Sequence, residues 1–123
     1  MPHGYEYRLA ESDRRTMKEE LRAVLRELAA NRDIATYTQV ASRLTTARIH
    51  PGSYIFSHLL REVCGEELAA GNGMLCALVV SKSKGIPGAG YFTGTAGEGR
   101  ETADLVALWQ QDVQAVFELW SKR

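Results

Sequence analysis

The stretch Leu75-Cys76-Ala77-Leu78-Val79-Val80 decides which fold the sequence predicts, because it interrupts the helical pattern of the chain. A short apolar run that ends in β-branched residues is typical of a buried strand. The turn-forming residues 81–88 follow it, and Gly90-Tyr91-Phe92-Thr93 can return as a partner strand. These segments predict a β-hairpin with Lys82 and Lys84 at its tip.

Three amphipathic helices are predicted before this hairpin. The first begins near Ser12 and ends near Asn31. A shorter second helix is capped by Thr36 or Thr38, and a third is capped by Ser53. Each helix has an apolar stripe at helical spacing. The stripes contain Met17, Leu21, Val24, Leu25 and Leu28 in the first helix, Val40, Ala41 and Leu44 in the second, and Ile55, Phe56, Leu59, Leu60 and Val63 in the third.

A closing helix is predicted after the hairpin. The glycine-rich residues 94–101 predict a flexible connector, and residues 1–11 a flexible N-terminus. Helical spacing then resumes from Thr102 to Trp120, and we expect this helix to pack against the first. The 123 residues are thus expected to form one α+β domain that is mainly helical. Its predicted parts are a winged-helix-like three-helix core, the β-hairpin and an additional C-terminal helix.

Composition places the chain among ordinary globular proteins, with 45% hydrophobic and 24% charged residues. No apolar run approaches the roughly 20 residues of a membrane span. Residues 1–10 lack the basic and apolar blocks of a secretory signal. We therefore expect a cytoplasmic protein without membrane contact. Its two cysteines, Cys64 and Cys76, are expected to stay reduced and to pack as small hydrophobic side chains.

Charge is balanced over the whole chain but uneven along it. Fifteen basic and fifteen acidic side chains give no overall attraction to nucleic acid. Residues 32–94 hold six basic against four acidic side chains, whereas residues 95–123 hold three against five. The part of the chain with the third helix and the hairpin therefore favours an anionic partner slightly.

The order of the predicted elements resembles the winged helix-turn-helix superfamily over residues 11–93, with the closing helix as an addition. Two segments, Thr36-Tyr37-Thr38-Gln39-Val40-Ala41 and Cys76-Ala77-Leu78-Val79-Val80, are similar to segments of DNA-alkyltransferase and alkyltransferase-like domains, which are themselves winged helices. Where that family has Pro-Cys-His-Arg, this chain has Leu75-Cys76-Ala77-Leu78, so the activating histidine has no counterpart. The resemblance implies a DNA-binding fold without methyl transfer to Cys76.

The winged-helix resemblance also implies that the third helix is the recognition element. Arginine can contact guanine through two hydrogen bonds, serine and histidine can contact phosphate or base edges, and lysines on a wing can contact phosphate. The candidate nucleic-acid-binding residues are Arg48, His50, Ser53, Ser57, His58, Arg61, Lys82 and Lys84. The alternative is a solvated helix face on which Arg61 lies near Glu62 or another acid, with lysines that only keep a turn soluble.

No residue pattern predicts an enzyme, a cofactor or a metal site. The three histidines, His3, His50 and His58, and the two cysteines lack the paired spacing of metal ligands. The glycines of residues 85–90 lack the following Lys-Ser/Thr of a phosphate-binding loop. A Cys76 nucleophile activated by His50 or His58 stays open, because such partners meet in space, although burial favours an inert thiol.

Two functions therefore remain for the sequence. The first is a small nucleic-acid-binding or regulatory protein whose partner is DNA or RNA. The second is a protein-interaction or accessory module. Trp109, Phe117 and Trp120 form either an intramolecular seam, which burial preferences favour, or a partner surface. The partner surface would support a homodimer through the first and last helices.

Overall fold

The computed structural model describes residues 4–88, 91–92 and 102–123. The helices are α1 (Glu11–Ala30), α2 (Tyr37–Ser42), α3 (Tyr54–Ala69) and α4 (Thr102–Ser121), with a 3₁₀ turn at Leu75–Leu78. Two short strands, β1 (Ala35–Thr36) and β2 (Val79–Val80), pair in parallel with Ala35 opposite Val79 and Thr36 opposite Val80. The prediction of a mainly helical α+β fold is confirmed.

The helices α2 and α3 begin at caps that the sequence contains, whereas α1 begins after Ala10 without a side-chain cap. The Thr36 hydroxyl accepts a hydrogen bond from the backbone N–H of Gln39, whose side chain accepts one from the Thr36 N–H, so α2 starts with a capping box. The Ser53 hydroxyl accepts a hydrogen bond from the Phe56 N–H and caps α3. Gly71, with a φ of +84°, follows the end of α3 in a conformation that favours glycine.

The core is built around α1. All five apolar stripe residues predicted for the first helix are buried, and α1 packs against α3, the 3₁₀ turn and α4. The predicted contact between the first and last helices is therefore confirmed. A side chain at Gly73 would come within 3.3 Å of the Val116 side chain, so glycine lets the loop after α3 pass close to α4.

The predicted hairpin is wrong for the described residues. Residues 75–78 form the 3₁₀ turn rather than a strand, and the partner of Val79–Val80 is the short strand before α2. Tyr91 and Phe92 have helical backbone, so they do not return as a strand. Gly90 and Thr93, the ends of that predicted strand, lie outside the described residues, as does the predicted connector at residues 94–101.

Burial on all sides explains why the apolar run does not form a strand. Leu75, Ala77 and Leu78 are completely buried, and the turn packs against α1, α3 and α4. A short apolar run without a period fits a buried helical turn as well as a strand. The Trp109 indole N–H donates a hydrogen bond of 2.7 Å to the Ala77 carbonyl, which gives this buried backbone group a partner outside a sheet.

The expectation of reduced cysteines is also wrong. Cys64 on α3 and Cys76 on the 3₁₀ turn form a disulfide. Packing of these two elements brings the Cα atoms to 5.7 Å, which is within the usual range for a disulfide. The sequence alone does not reveal this proximity, because it depends on how α3 meets the turn.

The segment before α1 makes contacts with the loop that precedes α3. The Glu6 N–H donates a hydrogen bond of 2.7 Å to the Arg48 carbonyl. Residues 1–3 lie outside the described part of the chain, and the flexibility predicted for residues 1–11 stays a prediction. Within the described residues, no helix has the length and apolar character needed to cross a membrane.

Candidate nucleic-acid interface

One side of α3 carries its three glutamates, and basic side chains of α1 neutralise all of them. The pairs are Glu62 with Arg14 and Lys18, Glu66 with Lys18 and Arg22, and Glu67 with Arg22 and Arg26. We call these seven residues the ion-paired face. The contacts join α1 and α3, which pack against each other in the core, so these charges stabilise the fold.

Glu67 is the most buried member of the ion-paired face, with 1% of its surface exposed. Burial opposes ionisation of this carboxyl group, but hydrogen bonds from Arg26, Arg22 and Asn72 outweigh it and lower its pKa to about 2. The Asn72 amide donates to Glu67 at 2.8 Å and its oxygen accepts from Arg123 at 2.6 Å. Glu67 therefore stays charged at neutral pH and connects α1, α3 and the end of the chain.

The opposite side of α3 presents Tyr54, Ser57, His58 and Arg61, which we call the exposed α3 face. Tyr54, His58 and Arg61 follow one another at helical spacing, and all four residues are exposed. Tyr54 is 80% exposed, and its ring centroid lies 5.4 Å from that of His58. Arg61 makes no ion pair or hydrogen bond with any described residue. The alternative of a solvated helix face stays open, although the Glu62 carboxylate binds Arg14 and Lys18 rather than Arg61.

A cavity of about 350 Å³ lies beside the exposed α3 face, and we call it the α3 cavity. Ser57 and Arg61 belong to both the face and the cavity lining, and Arg61 is the one charged side chain among the described lining residues. The apolar part of the lining comes from α3, the start of α2, the turn before β2 and Tyr91. Its main contributors are Tyr37, Phe56, Leu60, Cys64, Leu68, Met74, Cys76 and Tyr91.

Two tyrosines of the cavity lining have hydrogen-bonded hydroxyl groups. The Tyr37 hydroxyl accepts a hydrogen bond of 2.7 Å from the Gly88 N–H, and burial raises the pKa of this phenol although the hydrogen bond lowers it. The Tyr91 hydroxyl donates to the Asp112 carboxylate on α4. Burial, together with the hydrogen bond and charge of Asp112, raises the Tyr91 pKa. Both phenols are therefore neutral at physiological pH.

Lys82 and Lys84 are exposed on a tight turn after β2 rather than at a hairpin tip. The turn is closed by hydrogen bonds of 2.8 Å from the Ser81 N–H to the Ile86 carbonyl and from the Gly85 N–H to the Ser81 carbonyl. The same loop reaches the lining of the α3 cavity at Gly88. The lysines are thus attached to a short, hydrogen-bonded turn whose continuation borders the site.

The remaining predicted contact residues shape the loop that leads into α3. His50 Nδ1 accepts a hydrogen bond of 2.9 Å from the Gly52 N–H, and the Ser53 hydroxyl donates to the His50 carbonyl at 2.7 Å. The Arg48 guanidinium lies 4.7 Å from the centre of the Tyr5 ring. These residues have contacts within the protein, and their predicted role in binding stays a prediction.

The structure thus brings together part of the predicted set. Ser53, Ser57 and Arg61 line one cavity, His58 lies on the adjoining face, and the lysine turn approaches the cavity from β2. Sequence reasoning missed Tyr54, although its spacing from His58 and Arg61 was a usable signal. It also missed Tyr37 and Tyr91, whose meeting in one wall depends on the tertiary fold.

A metal site or a cysteine nucleophile finds no support among the described residues. They contain no group of three or more metal-ligating side chains. Cys76 is bonded to Cys64, so the disulfide form holds no Cys76 thiolate for His50 or His58 to activate. The hypothesis of an activated Cys76 nucleophile is therefore wrong for this state of the protein.

Both tryptophans of α4 make hydrogen bonds within the chain. Besides the Trp109 bond to Ala77, the Trp120 indole N–H donates to the Asn72 carbonyl at 2.9 Å. Both rings are half-buried and pack against the core. This is the intramolecular seam that burial preferences favoured. A homodimer through Trp109 and Trp120 stays a prediction.

Comparison with known proteins found no matching family model, no similar curated protein and no similar solved structure. The chemistry of the exposed α3 face and the α3 cavity therefore carries the functional assignment.

Proposed function

We propose that the protein is a small non-enzymatic nucleic-acid-binding protein that uses the exposed α3 face to contact its partner. One observation carries this proposal. The acidic side chains of α3 are all neutralised by α1, while Arg61, on the other side of the helix, has no ion pair among the described residues. The helix therefore offers a polyanion a cationic face although the chain as a whole is neutral.

The residue types on this face suit a nucleic acid. An arginine can bind a phosphate or the edge of a guanine through two hydrogen bonds. The exposed rings of Tyr54 and His58 can stack on an unpaired base, and stacking of this kind contributes about 1–3 kcal/mol per base. Ser57 adds a small hydrogen-bonding group between them. In a duplex, the same face would lie along the major groove as a recognition helix does.

The turn that carries Lys82 and Lys84, formed by residues 81–86, extends the proposed contact. Lys82 and Lys84 are exposed and belong to the loop that ends at the cavity. We expect them to contact phosphates beside those contacted by Arg61. Three cations that each neutralise one phosphate predict a slope of about −3 in a plot of log affinity against log salt. A slope near this value would fit a small interface.

A binding titration tests the proposal. Fluorescence anisotropy is measured with labelled duplex DNA, single-stranded DNA and RNA at about 50 and about 200 mM salt. It gives the affinity for each kind of nucleic acid and the slope of log affinity against log salt. We expect Arg61→Gln to weaken binding about tenfold and to reduce the slope by about 1. Arg14→Gln removes the same charge from the ion-paired face and serves as the matched control. Absence of binding to all three probes at low salt would refute the proposal.

A protein-interaction module is the second candidate, because α3 also exposes apolar surface. Tyr54 is 80% and Leu68 42% exposed, and large exposed hydrophobic side chains often mark a partner contact. A protein partner held by this surface would bind with little salt dependence and would be lost on Tyr54→Ala rather than on Lys82→Ala. The homodimer is tested by sedimentation of the purified chain.

A further inference from the structure

Both cysteines of the Cys64–Cys76 disulfide line the α3 cavity. Cys64 is only 4% exposed, whereas Cys76 is half-buried. Thiol–disulfide exchange requires an incoming thiolate to reach one of the two sulfurs. The cavity provides that approach, and Cys76 is the more accessible of the two.

We propose that the α3 cavity is a thiol-exchange site in which a small aromatic thiol that bears a carboxylate opens the disulfide by attacking Cys76 Sγ. The proposal does not require nucleic-acid binding, because it depends on the disulfide and the cavity, although Arg61 belongs to both sites.

The shape and chemistry of the cavity select this class of thiol. Phe56, Leu60 and Met74 give it apolar walls, and a cavity of about 350 Å³ is large enough for a single substituted ring. Arg61, the one charged side chain among the described lining residues, can hold a carboxylate. It precedes Cys64 by one helical turn on α3, and both residues line the cavity.

The exchange step is balanced without an external oxidant or reductant. The incoming thiolate forms a new S–S bond with Cys76 Sγ while the bond between Cys76 and Cys64 breaks. The electron pair of the broken bond stays on Cys64 Sγ, which takes a proton from water. One disulfide replaces another, and the products are a mixed disulfide at Cys76 and a free thiol at Cys64. Attack by Cys64 on the mixed disulfide expels the ligand and restores the starting bond.

Mass spectrometry of the full oxidised chain tests the proposal. The protein is treated with 4-mercaptobenzoate or with glutathione, quenched with acid, alkylated with N-ethylmaleimide and digested. We expect the ligand on Cys76 and the alkyl group on Cys64. Each rate is divided by the rate of the same thiol on the urea-unfolded chain, which removes the difference in intrinsic reactivity between the thiols.

The normalised rate with 4-mercaptobenzoate should be about tenfold or more higher than the rate with glutathione. Burial of one aromatic ring in the cavity strengthens binding of the thiol by at least that factor. Addition of 4-chlorobenzoate, which has the same shape but no thiol, should slow the reaction with 4-mercaptobenzoate. Arg61→Gln should slow it several-fold. Two free thiols in the air-oxidised protein, the ligand on Cys64, or equal normalised rates for the two thiols would each overturn the proposal.

Discussion

The two sides of α3 differ in what their charges do. On the ion-paired face, three carboxylates meet four basic side chains of α1, and the most buried of them also binds Asn72. On the exposed α3 face, Arg61 has no ion pair among the described residues and Tyr54 is largely open to solvent. Charges that stabilise the fold and charges that are available to a partner are thus separated by half a turn of one helix. The zero net charge of the chain conceals this separation.

The largest effect is expected where the ion-paired face is most buried. Glu67→Gln leaves Arg22 and Arg26 without their buried carboxylate, and loss of one partner from such a pair costs about 3–5 kcal/mol of unfolding free energy. Urea denaturation measures this loss. Glu62→Gln, at the more exposed end of the same face, is the matched control and should cost about 1 kcal/mol or less. An equal loss of unfolding free energy in both variants would show that the burial of Glu67 does not strengthen its ion pairs relative to those of Glu62.

Acid should remove the contribution of Glu67 in a defined pH range. Its folded-state pKa of about 2 lies below the unfolded value of about 4.3, so the stabilisation is complete above pH 4.3 and disappears as the pH falls toward 2. The difference amounts to about 3 kcal/mol. The gap in unfolding free energy between the native chain and Glu67→Gln should therefore shrink between pH 5 and pH 2. A gap that stays constant over this range would contradict the low pKa.

Reduction of the disulfide should destabilise the packing of α3 against the 3₁₀ turn. Cys64 and Cys76 are 12 residues apart in sequence. A disulfide that closes a loop of about this size increases the unfolding free energy by about 3 kcal/mol. A phosphine reductant should therefore lower the melting temperature of the native chain and leave a Cys64→Ala/Cys76→Ala double variant unchanged. If reduction that mass spectrometry shows to be complete leaves the melting temperature of the native chain unchanged, the disulfide does not stabilise the fold.

A smaller effect is expected at the start of α2. Thr36→Ala removes the capping box and should cost about 1 kcal/mol of unfolding free energy. Thr38→Ala changes the neighbouring exposed threonine, which does not form the cap, and should be close to neutral. Chemical denaturation of the two variants compares them directly. A larger loss for Thr38→Ala would place the cap at the other residue.

The helices could be predicted because their signals are local. The stripe from Met17 to Leu28, the Thr36 cap and the Ser53 cap all depend on residues within a few positions of one another. The hairpin was mispredicted because a six-residue apolar run has no period that separates a strand from a buried turn. Its conformation is decided by neighbours far along the chain, among them Trp109.

The candidate site could be predicted only in part for the same reason. Ser57, His58 and Arg61 share a helix face, so their spacing indicates that they lie together. The α3 cavity combines Tyr37, the two cysteines and Tyr91, which are distant in sequence and meet only after folding. The ion pairs of Glu62 with α1 could not be predicted from the sequence either, because they depend on how α1 packs against α3. These pairs decide which charges of α3 can contact a partner.

The most direct test of this division compares Arg14→Gln and Arg61→Gln, which remove the same charge from the two sides of α3. Salt-dependent anisotropy with labelled nucleic acid should show about tenfold weaker binding and a slope smaller by about 1 for Arg61→Gln, with little change for Arg14→Gln. Equal weakening by both variants would mean that only the total charge matters, and it would contradict the proposed role of the exposed α3 face.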